Sequence, residues 1–324
     1  MKVVITDYWY ETLENEERIL STLDGLTLEA HHCKNEEELC ELVKDADAVI
    51  VQFAPITERV IGCMDKCKLI VRYAIGVDNI DLDAATDRGI YVANVPDYSI
   101  DEVSNHAIAL MMALAKKLIP LTASVKQGKW DYTVTKPLYR MRGQTLGLVG
   151  FGRIPSMVAE KMRGFGLKII AYDPYVKPEM AKQMGVELVP LKELLQISDY
   201  ISVHCPLTKD THHLLSDAEF RLMKSSAILI NTARGPIIDE VALIAALQQG
   251  EIAAAGLDVI EKEPINPDSP LLQMDNVIVT PHNAWYSEDA VATLQRSVAE
   301  EVVRVLTGSL PKNLVNKAVL EKRC

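Results

Sequence analysis

The run Thr145-Leu146-Gly147-Leu148-Val149-Gly150-Phe151-Gly152-Arg153-Ile154-Pro155 constrains this chain more than any other stretch. A short apolar segment of strand character enters a glycine turn, and the pattern after the turn is helical. Gly150 permits the tight turn, and Gly152 lets the backbone approach a bound pyrophosphate. The helix that follows offers free N–H groups to the same anion. A second apolar run, residues 168–172, ends in Asp173, 21 residues after Gly152. A carboxylate there accepts both ribose hydroxyls and repels a 2′-phosphate, which argues for NAD over NADP. The third glycine of such a turn is replaced by Pro155. Proline is tolerated in a first helical turn, where its missing N–H is an orphan anyway. A glycine fingerprint alone is weak, whereas strand, turn, helix and acid in this order point to a dinucleotide held by Gly150, Gly152, Arg153, Ile154 and Asp173.

Around this unit, short apolar runs alternate with helical patterns, which predicts βαβ repeats and parallel sheets. An early series has strands at residues 2–6, 48–52, 69–72 and 91–93, with a helix over 36–43 opened by Asn35 as N-cap. A helix near 101–115 starts the second series, and a loop rich in Lys, Trp, Tyr and Pro (126–142) follows it. Strands are then predicted at 145–149, 168–172, 200–203, 227–230, 254–257 and 277–279, enough for one doubly wound dinucleotide domain. A helix over 288–306 ends near Gly308, and the tail beyond it has nowhere to go but back across the first domain. The expected fold is α/β: two Rossmann-like domains, one flavodoxin-like and one dinucleotide-binding, each with a parallel sheet and with a cleft between them. The expected boundaries are 1–99 plus 290–324 for a discontinuous substrate-binding domain and 100–289 for the NAD-binding domain.

Composition narrows the function classes. The formal net charge is −11, which repels nucleic-acid phosphates and anionic membrane, so neither is an expected partner. Asp7 interrupts the first apolar run too early for a secretory signal, and no stretch reaches membrane-span length. A cytoplasmic location is expected. Six cysteines show no repeated two-residue spacing, so free thiols are expected and no metal site. The run Glu36-Glu37-Glu38 fits a solvated helix start, and His212 and His213 fit structural or surface roles.

Three reactive side chains stand just beyond strand ends. Asn231-Thr232-Ala233-Arg234-Gly235 supplies an arginine, Glu261-Lys262-Glu263-Pro264 a carboxylate and Thr280-Pro281-His282-Asn283-Ala284-Trp285 a histidine. Ligands of open α/β sheets sit outside the carboxyl ends of the strands, so these loops are expected to converge. A guanidinium holds a carboxylate in a bidentate fork, and an imidazole oriented by a carboxylate exchanges a proton with a carbonyl oxygen. These are the parts needed to reduce a 2-keto acid. Each residue alone has a duller explanation as a loop or surface group; together, in register with the glycine turn, they define a candidate trio.

With Asp78-Asn79-Ile80-Asp81 and the Gly150 turn, these segments resemble the D-isomer-specific 2-hydroxyacid dehydrogenases. Val71-Arg72, His212-His213-Leu214 and the stretch from His282 to Glu288 look most like the C-terminal-binding protein branch, whose animal members are NAD(H)-sensing corepressors. The resemblance implies that His282 is the proton donor and acceptor, Glu263 its partner, and Arg234 the substrate anchor. It implies a second anchor in Arg72, carboxylate contacts from the N–H groups of Ile75 and Gly76, and a pocket wall in Trp285. Asp258 would meet the nicotinamide carboxamide, while Cys205, Pro206, Thr211, Thr232 and Ala233 would line the cofactor groove. Tyr73 and Ile75 stand where the branch has smaller residues, and with Trp285 they are expected to give the pocket apolar walls. The apolar helix around residues 108–118 lies near a dimer interface in this family, so a homodimer is expected.

The resemblance leaves two functions of different class. One is an NAD-dependent D-2-hydroxyacid dehydrogenase acting on a small 2-keto or 2-hydroxy acid. The other is an NAD(H)-sensing scaffold of the C-terminal-binding protein type that works through protein contacts. The chain ends soon after the core pattern with no long polar tail, which favours the enzyme.

Overall fold

The structure is a computed structural model that describes residues 1–33 and 35–322; Cys324 lies outside the described residues. The chain divides into two compact units. One comprises Met1–Ser99 together with the chain from Tyr286 onward, the other Ile100–Trp285.

The first unit is a parallel sheet of β1 (Lys2–Ile5), β2 (Thr27–Ala30), β3 (Ala48–Val51), β4 (Leu69–Arg72) and β5 (Tyr91–Ala93), in the order β2-β1-β3-β4-β5. That is the flavodoxin-like order. Every residue of β3 and β4 is buried, as continuous apolar strands covered on both faces must be. Asn35 caps the helix Glu36–Val43, its Oδ1 accepting the Glu38 N–H at 2.9 Å. The helix Glu288–Leu306 is capped by Ser287, whose hydroxyl accepts the Ala290 N–H at 3.0 Å. Its Leu294, Val298 and Val302 join the core of β1, β3 and β4. Beyond Gly308, at φ +95°, the tail returns to β5: Leu314 bridges Ala93 and the Asn316 Oδ1 accepts the Val92 N–H at 2.8 Å. The second crossing between units falls at 285–286 rather than at 289–290, because Tyr286 and Ser287 already belong to the start of this helix through their bonds to Glu288 and Ala290.

The second unit holds β6 (Thr145–Val149), β7 (Lys168–Tyr172), β8 (Glu187–Leu188), β9 (Tyr200–Val203), β10 (Ile228–Asn231), β11 (Ala254–Leu257) and β12 (Val277–Val279), all parallel, in the order β12-β11-β10-β9-β6-β7-β8. Read from the β8 edge this is the doubly wound nucleotide-binding order with one further strand. The helix Ile100–Ala115 packs on β10 and β11. It is tied to the helix Arg153–Met162 by Lys161, whose Nζ donates to Ser104 Oγ at 2.8 Å and Asn105 Oδ1 at 2.7 Å.

The sequence pattern did not announce β2 and β8. Both are edge strands, one half-exposed and one only two residues long, so neither carries an apolar run. The expectation of free thiols is corrected for one pair. Cys40 and Cys63 form a disulfide with Cα atoms 5.3 Å apart, because the helices Glu36–Val43 and Glu58–Gly62 pack side by side. Among the described residues no single helix is long and apolar enough to cross a membrane.

Candidate active site

β10, β11 and β12 are neighbours and parallel, so the three loops that follow them leave one carboxyl edge of the sheet. After β10, the buried Asn231 folds the turn on itself. Its Oδ1 accepts the Ala233 N–H at 3.0 Å and its Nδ2 donates to the Arg234 carbonyl at 2.9 Å. Arg234 emerges half-buried, its Nη1 donating to the Ala233 carbonyl at 2.7 Å. Gly235 is required next, because a Cβ there would stand 1.7 Å from the Ile260 carbonyl oxygen. The arginine loop and the loop after β11 therefore touch backbone to backbone, and only glycine allows it. The glycine-proline pair Gly235-Pro236 beside the arginine is the sequence signal for this close approach.

His282 and Glu263 meet directly, with Nδ1 2.7 Å from Oε2. Because a carboxylate only accepts, Nδ1 carries the proton, and Nε2 is the nitrogen on the side of the ring away from Glu263. His282 sits in the left-handed region at φ +51°, a conformation costly for any residue with a Cβ. The turn is held by its surroundings. The His282 N–H donates to the Asp258 carbonyl at 2.8 Å, and the His282 carbonyl accepts Trp285 Nε1–H at 3.0 Å. The Asp258 carboxylate, buried, accepts Thr280 Oγ1–H at 2.6 Å, Asn283 N–H at 3.0 Å and Ala284 N–H at 2.9 Å. Asp258, expected at the nicotinamide carboxamide, thus also builds the turn that carries the histidine. Trp285, expected as a pocket wall, is pinned to that same turn.

At the carboxyl end of β6 the glycine turn fits a dinucleotide. Gly150 has φ +94°, and a Cβ on it would lie 2.7 Å from the Cys205 nitrogen. Gly152 caps the helix Arg153–Met162 and faces open space, where a side chain would stand in the approach to the helix N-terminus. Arg153 and Ile154 keep their first-turn N–H groups, while Pro155, buried, has none to offer. Asp173 holds this turn as well as closing β7. Its carboxylate accepts the N–H groups of Phe151 at 2.9 Å, Tyr175 at 2.9 Å and Val176 at 3.1 Å. Thr232 Oγ1 is buried and, among the described residues, has no hydrogen-bond partner, as a groove that binds a polar ligand would allow. Ala233, next to it, is half-buried.

Cys205 and Pro206 follow β9 against this turn. Burial pushes the Cys205 thiol up to about 11, so it packs rather than reacts. Its neighbour His204 is held neutral by burial, its pKa pushed down to about 3, with a ring nitrogen 2.8 Å from Ser202 Oγ. Thr211 closes the loop by donating to the Pro206 carbonyl at 2.6 Å. His213 takes a structural part: its Nε2 is 2.9 Å from Glu261 Oε1, and His212 stacks on it.

Arg72, Ile75 and Gly76 belong to the first unit. Arg72 is buried, with Nε donating to the Gln52 carbonyl at 3.0 Å and Nη1 to the Gly76 carbonyl at 3.0 Å and to Asp78 at 3.1 Å. The Ile75 carbonyl accepts Asn94 Nδ2 at 2.6 Å. Tyr73 corrects an expectation. It is 2% exposed, its hydroxyl donating at 2.6 Å to the buried Glu16, so it fills the core of its own unit and lines no pocket.

A glycine-turn dinucleotide fold with an imidazole–carboxylate pair and an arginine at its strand ends defines an NAD-dependent oxidoreductase. The sequence model of the D-isomer specific 2-hydroxyacid dehydrogenase NAD binding domain matches residues 108–284. The glyoxylate reductase of Korarchaeum cryptofilum is 42% identical over 289 residues, spanning 88% of this chain and 87% of that protein. The D-3-phosphoglycerate dehydrogenase of Methanocaldococcus jannaschii is 43% identical over 98% of this chain, which spans 59% of that relative's length. The crystal structure of Aquifex aeolicus D-lactate dehydrogenase with NAD and lactic acid superposes with a TM-score of 0.87 at 33% identity, covering 97% of this chain and 99% of that one. The chain belongs to the D-isomer specific 2-hydroxyacid dehydrogenase family. It is accordingly an oxidoreductase acting on CH–OH groups, with NAD as cofactor.

Proposed function

We propose that this chain interconverts a small 2-keto acid and its D-2-hydroxy acid, with His282 as the proton donor and acceptor. The contact between His282 Nδ1 and Glu263 at 2.7 Å carries the reading. NAD(H), when bound, supplies or takes the hydride at the 2-carbon. Glu263 fixes the ring and its tautomer, so Nε2–H faces outward to protonate the keto oxygen, or Nε2 to take the hydroxyl proton in reverse. Arg234 grips the substrate carboxylate with its planar fork. The same reading gives Arg72 and the N–H groups of Ile75 and Gly76 a part in holding that carboxylate, and gives Trp285 a part in shaping the pocket.

Toward the cofactor, Gly150, Gly152, Arg153 and Ile154 take the pyrophosphate at the helix N-terminus and Asp173 takes the ribose. Thr232, Ala233, Cys205, Pro206 and Thr211 line the groove, and Asp258 meets the carboxamide. The test is turnover of glyoxylate, pyruvate and hydroxypyruvate with NADH. Reduction of at least one supports the enzyme. Micromolar NADH binding with none reduced would favour an NAD(H)-sensing scaffold of the C-terminal-binding protein type.

A homodimer in the cytoplasm completes the proposal. The helix Leu118–Lys126 and the residues after it leave Leu118, Ile119, Trp130, Tyr132 and Tyr139 exposed, Trp130 by 92%. An exposed run of this size fits a subunit contact. Light scattering on the purified chain should give twice the mass of 36.0 kDa, and a monomer would remove the dimer from the proposal.

A further inference from the structure

What keeps the Thr280 hydroxyl, an anchor of the left-handed turn at His282, aimed at Asp258? The geometry points to His106 as a positioning residue that locks this hydroxyl onto Asp258 and so holds the His282 turn in place. This inference rests on the reading of His282 as the acid/base.

His106 Nε2 lies 2.9 Å from Thr280 Oγ1, and Thr280 Oγ1 lies 2.6 Å from Asp258 Oδ1. A hydroxyl has one proton, and an ionised carboxylate only accepts, so the threonine proton points at Asp258. The second contact of Thr280 Oγ1 must then be an acceptance, and His106 Nε2 is the donor. The chain of donation runs from His106 to Thr280 to Asp258, with His106 Nε2 at 3.5 Å from the same carboxylate oxygen. Turning the hydroxyl away from Asp258 would give up both the bond it donates and the alignment of the one it accepts. Asp258, whose side chain is 1% exposed, keeps its full set of donors.

Those donors include Asn283 N–H and Ala284 N–H, the residues just past His282. His282 itself donates its N–H to the Asp258 carbonyl. Asp258 is therefore bonded to both sides of the strained residue, and a shift in its carboxylate is a shift in the imidazole. The lock comes from a rigid element. His106 stands on the helix Ile100–Ala115, which packs on β10 and β11 and is tied by Lys161 one residue away, at Asn105. Chemistry that depends on fractions of an ångström favours such support outside the reacting groups.

The experiment measures glyoxylate reduction with NADH for the full chain and for His282→Ala, His106→Ala, His106→Gln, Thr280→Val and the double variant His106→Ala/Thr280→Val. We expect His106→Ala to lower kcat about 10-fold, as a small misplacement of a catalytic group does. His106→Gln, whose amide N–H replaces Nε2–H, should restore most of that loss. The double variant should be no slower than Thr280→Val alone, since His106 acts only through that hydroxyl. A merely structural histidine would show no rescue by glutamine, and its effect would multiply with that of Thr280→Val; either result overturns the inference. Native kcat in His106→Ala overturns it as well. If His282→Ala keeps turnover, the acid/base reading fails and this inference falls with it. Loss in His282→Ala beside a silent His106 series overturns the inference alone.

Discussion

The loops at the carboxyl edges of the two sheets use similar residue types to opposite ends. In the seven-stranded unit, the loops after β10, β11 and β12 use backbone groups, Asn231, Asp258 and Thr280 to hold Arg234 in place and His282 in a costly left-handed conformation. In the five-stranded unit, the loop after β4 turns its reactive-looking side chains inward: Arg72 bonds the Gln52 and Gly76 carbonyls, and Tyr73 bonds Glu16 in the core. The first arrangement supports a side chain from behind; the second ties it into its own unit. An arginine or tyrosine in a promising loop thus announces a role only once its partners are known.

The sharpest way to break this contrast is at the two arginines. Arg234→Lys should lower kcat/KM for glyoxylate by about 10²-fold, because a lysine cannot reproduce the planar fork. Arg72→Lys, at the second anchor, should cost less in kcat/KM and show in thermal unfolding as well, through the lost bonds to Gln52 and Gly76. Equal kinetic losses at the two sites would erase the distinction. Next in size, Gly235→Ala forces a methyl into the Ile260 carbonyl and should destabilise the chain by about 3 kcal/mol, measured by denaturant unfolding. An undisturbed midpoint would show that the two loops are not in backbone contact.

A smaller effect is expected at Asp173→Ala. NADH should bind about 10-fold more weakly, with NADPH gaining relative to it, since a charged acceptor of hydrogen bonds is gone. The three backbone bonds of Asp173 to Phe151, Tyr175 and Val176 add a loosening of the turn, so both cofactors should weaken somewhat. An unchanged NADH to NADPH ratio would place selectivity elsewhere.

The smallest effect is a pH dependence in the first unit. Burial, the largest cause, raises the Glu16 carboxyl above its usual range, against the bond from Tyr73 that lowers it. A carboxyl raised in the folded state contributes stability that is complete below the unfolded value of 4.5 and fades as pH rises through the raised value. Glu16→Gln should therefore flatten the fall in thermal midpoint over that rise, and a difference between the two proteins that does not vary with pH would contradict it.

Much of this was legible in the sequence because parallel sheets write themselves as buried apolar runs. β4, β5, β6, β7, β9, β11 and β12 begin and end where the pattern predicts, as do the helices Glu36–Val43 and Glu288–Leu306. The pairing of His282 with Glu263 is a contact between residues 19 positions apart, foreseen only because both follow strand ends. What stayed hidden depends on the direction of a side chain or on packing between distant helices. Nothing in Arg72-Tyr73 says that the ring turns into the core. Cys40 and Cys63 are 23 residues apart and meet only because two helices do. His106, one polar residue in the helix Ile100–Ala115, gains meaning only from Thr280, 174 residues later.

The central claim is that the His282 imidazole, held by Glu263, moves the proton in this reaction, and the direct measurement is the rate of NADH oxidation by glyoxylate in His282→Ala beside its NADH dissociation constant. The account predicts a rate lower by ~10²–10⁴ with NADH affinity kept. Near-native turnover in that variant would contradict it.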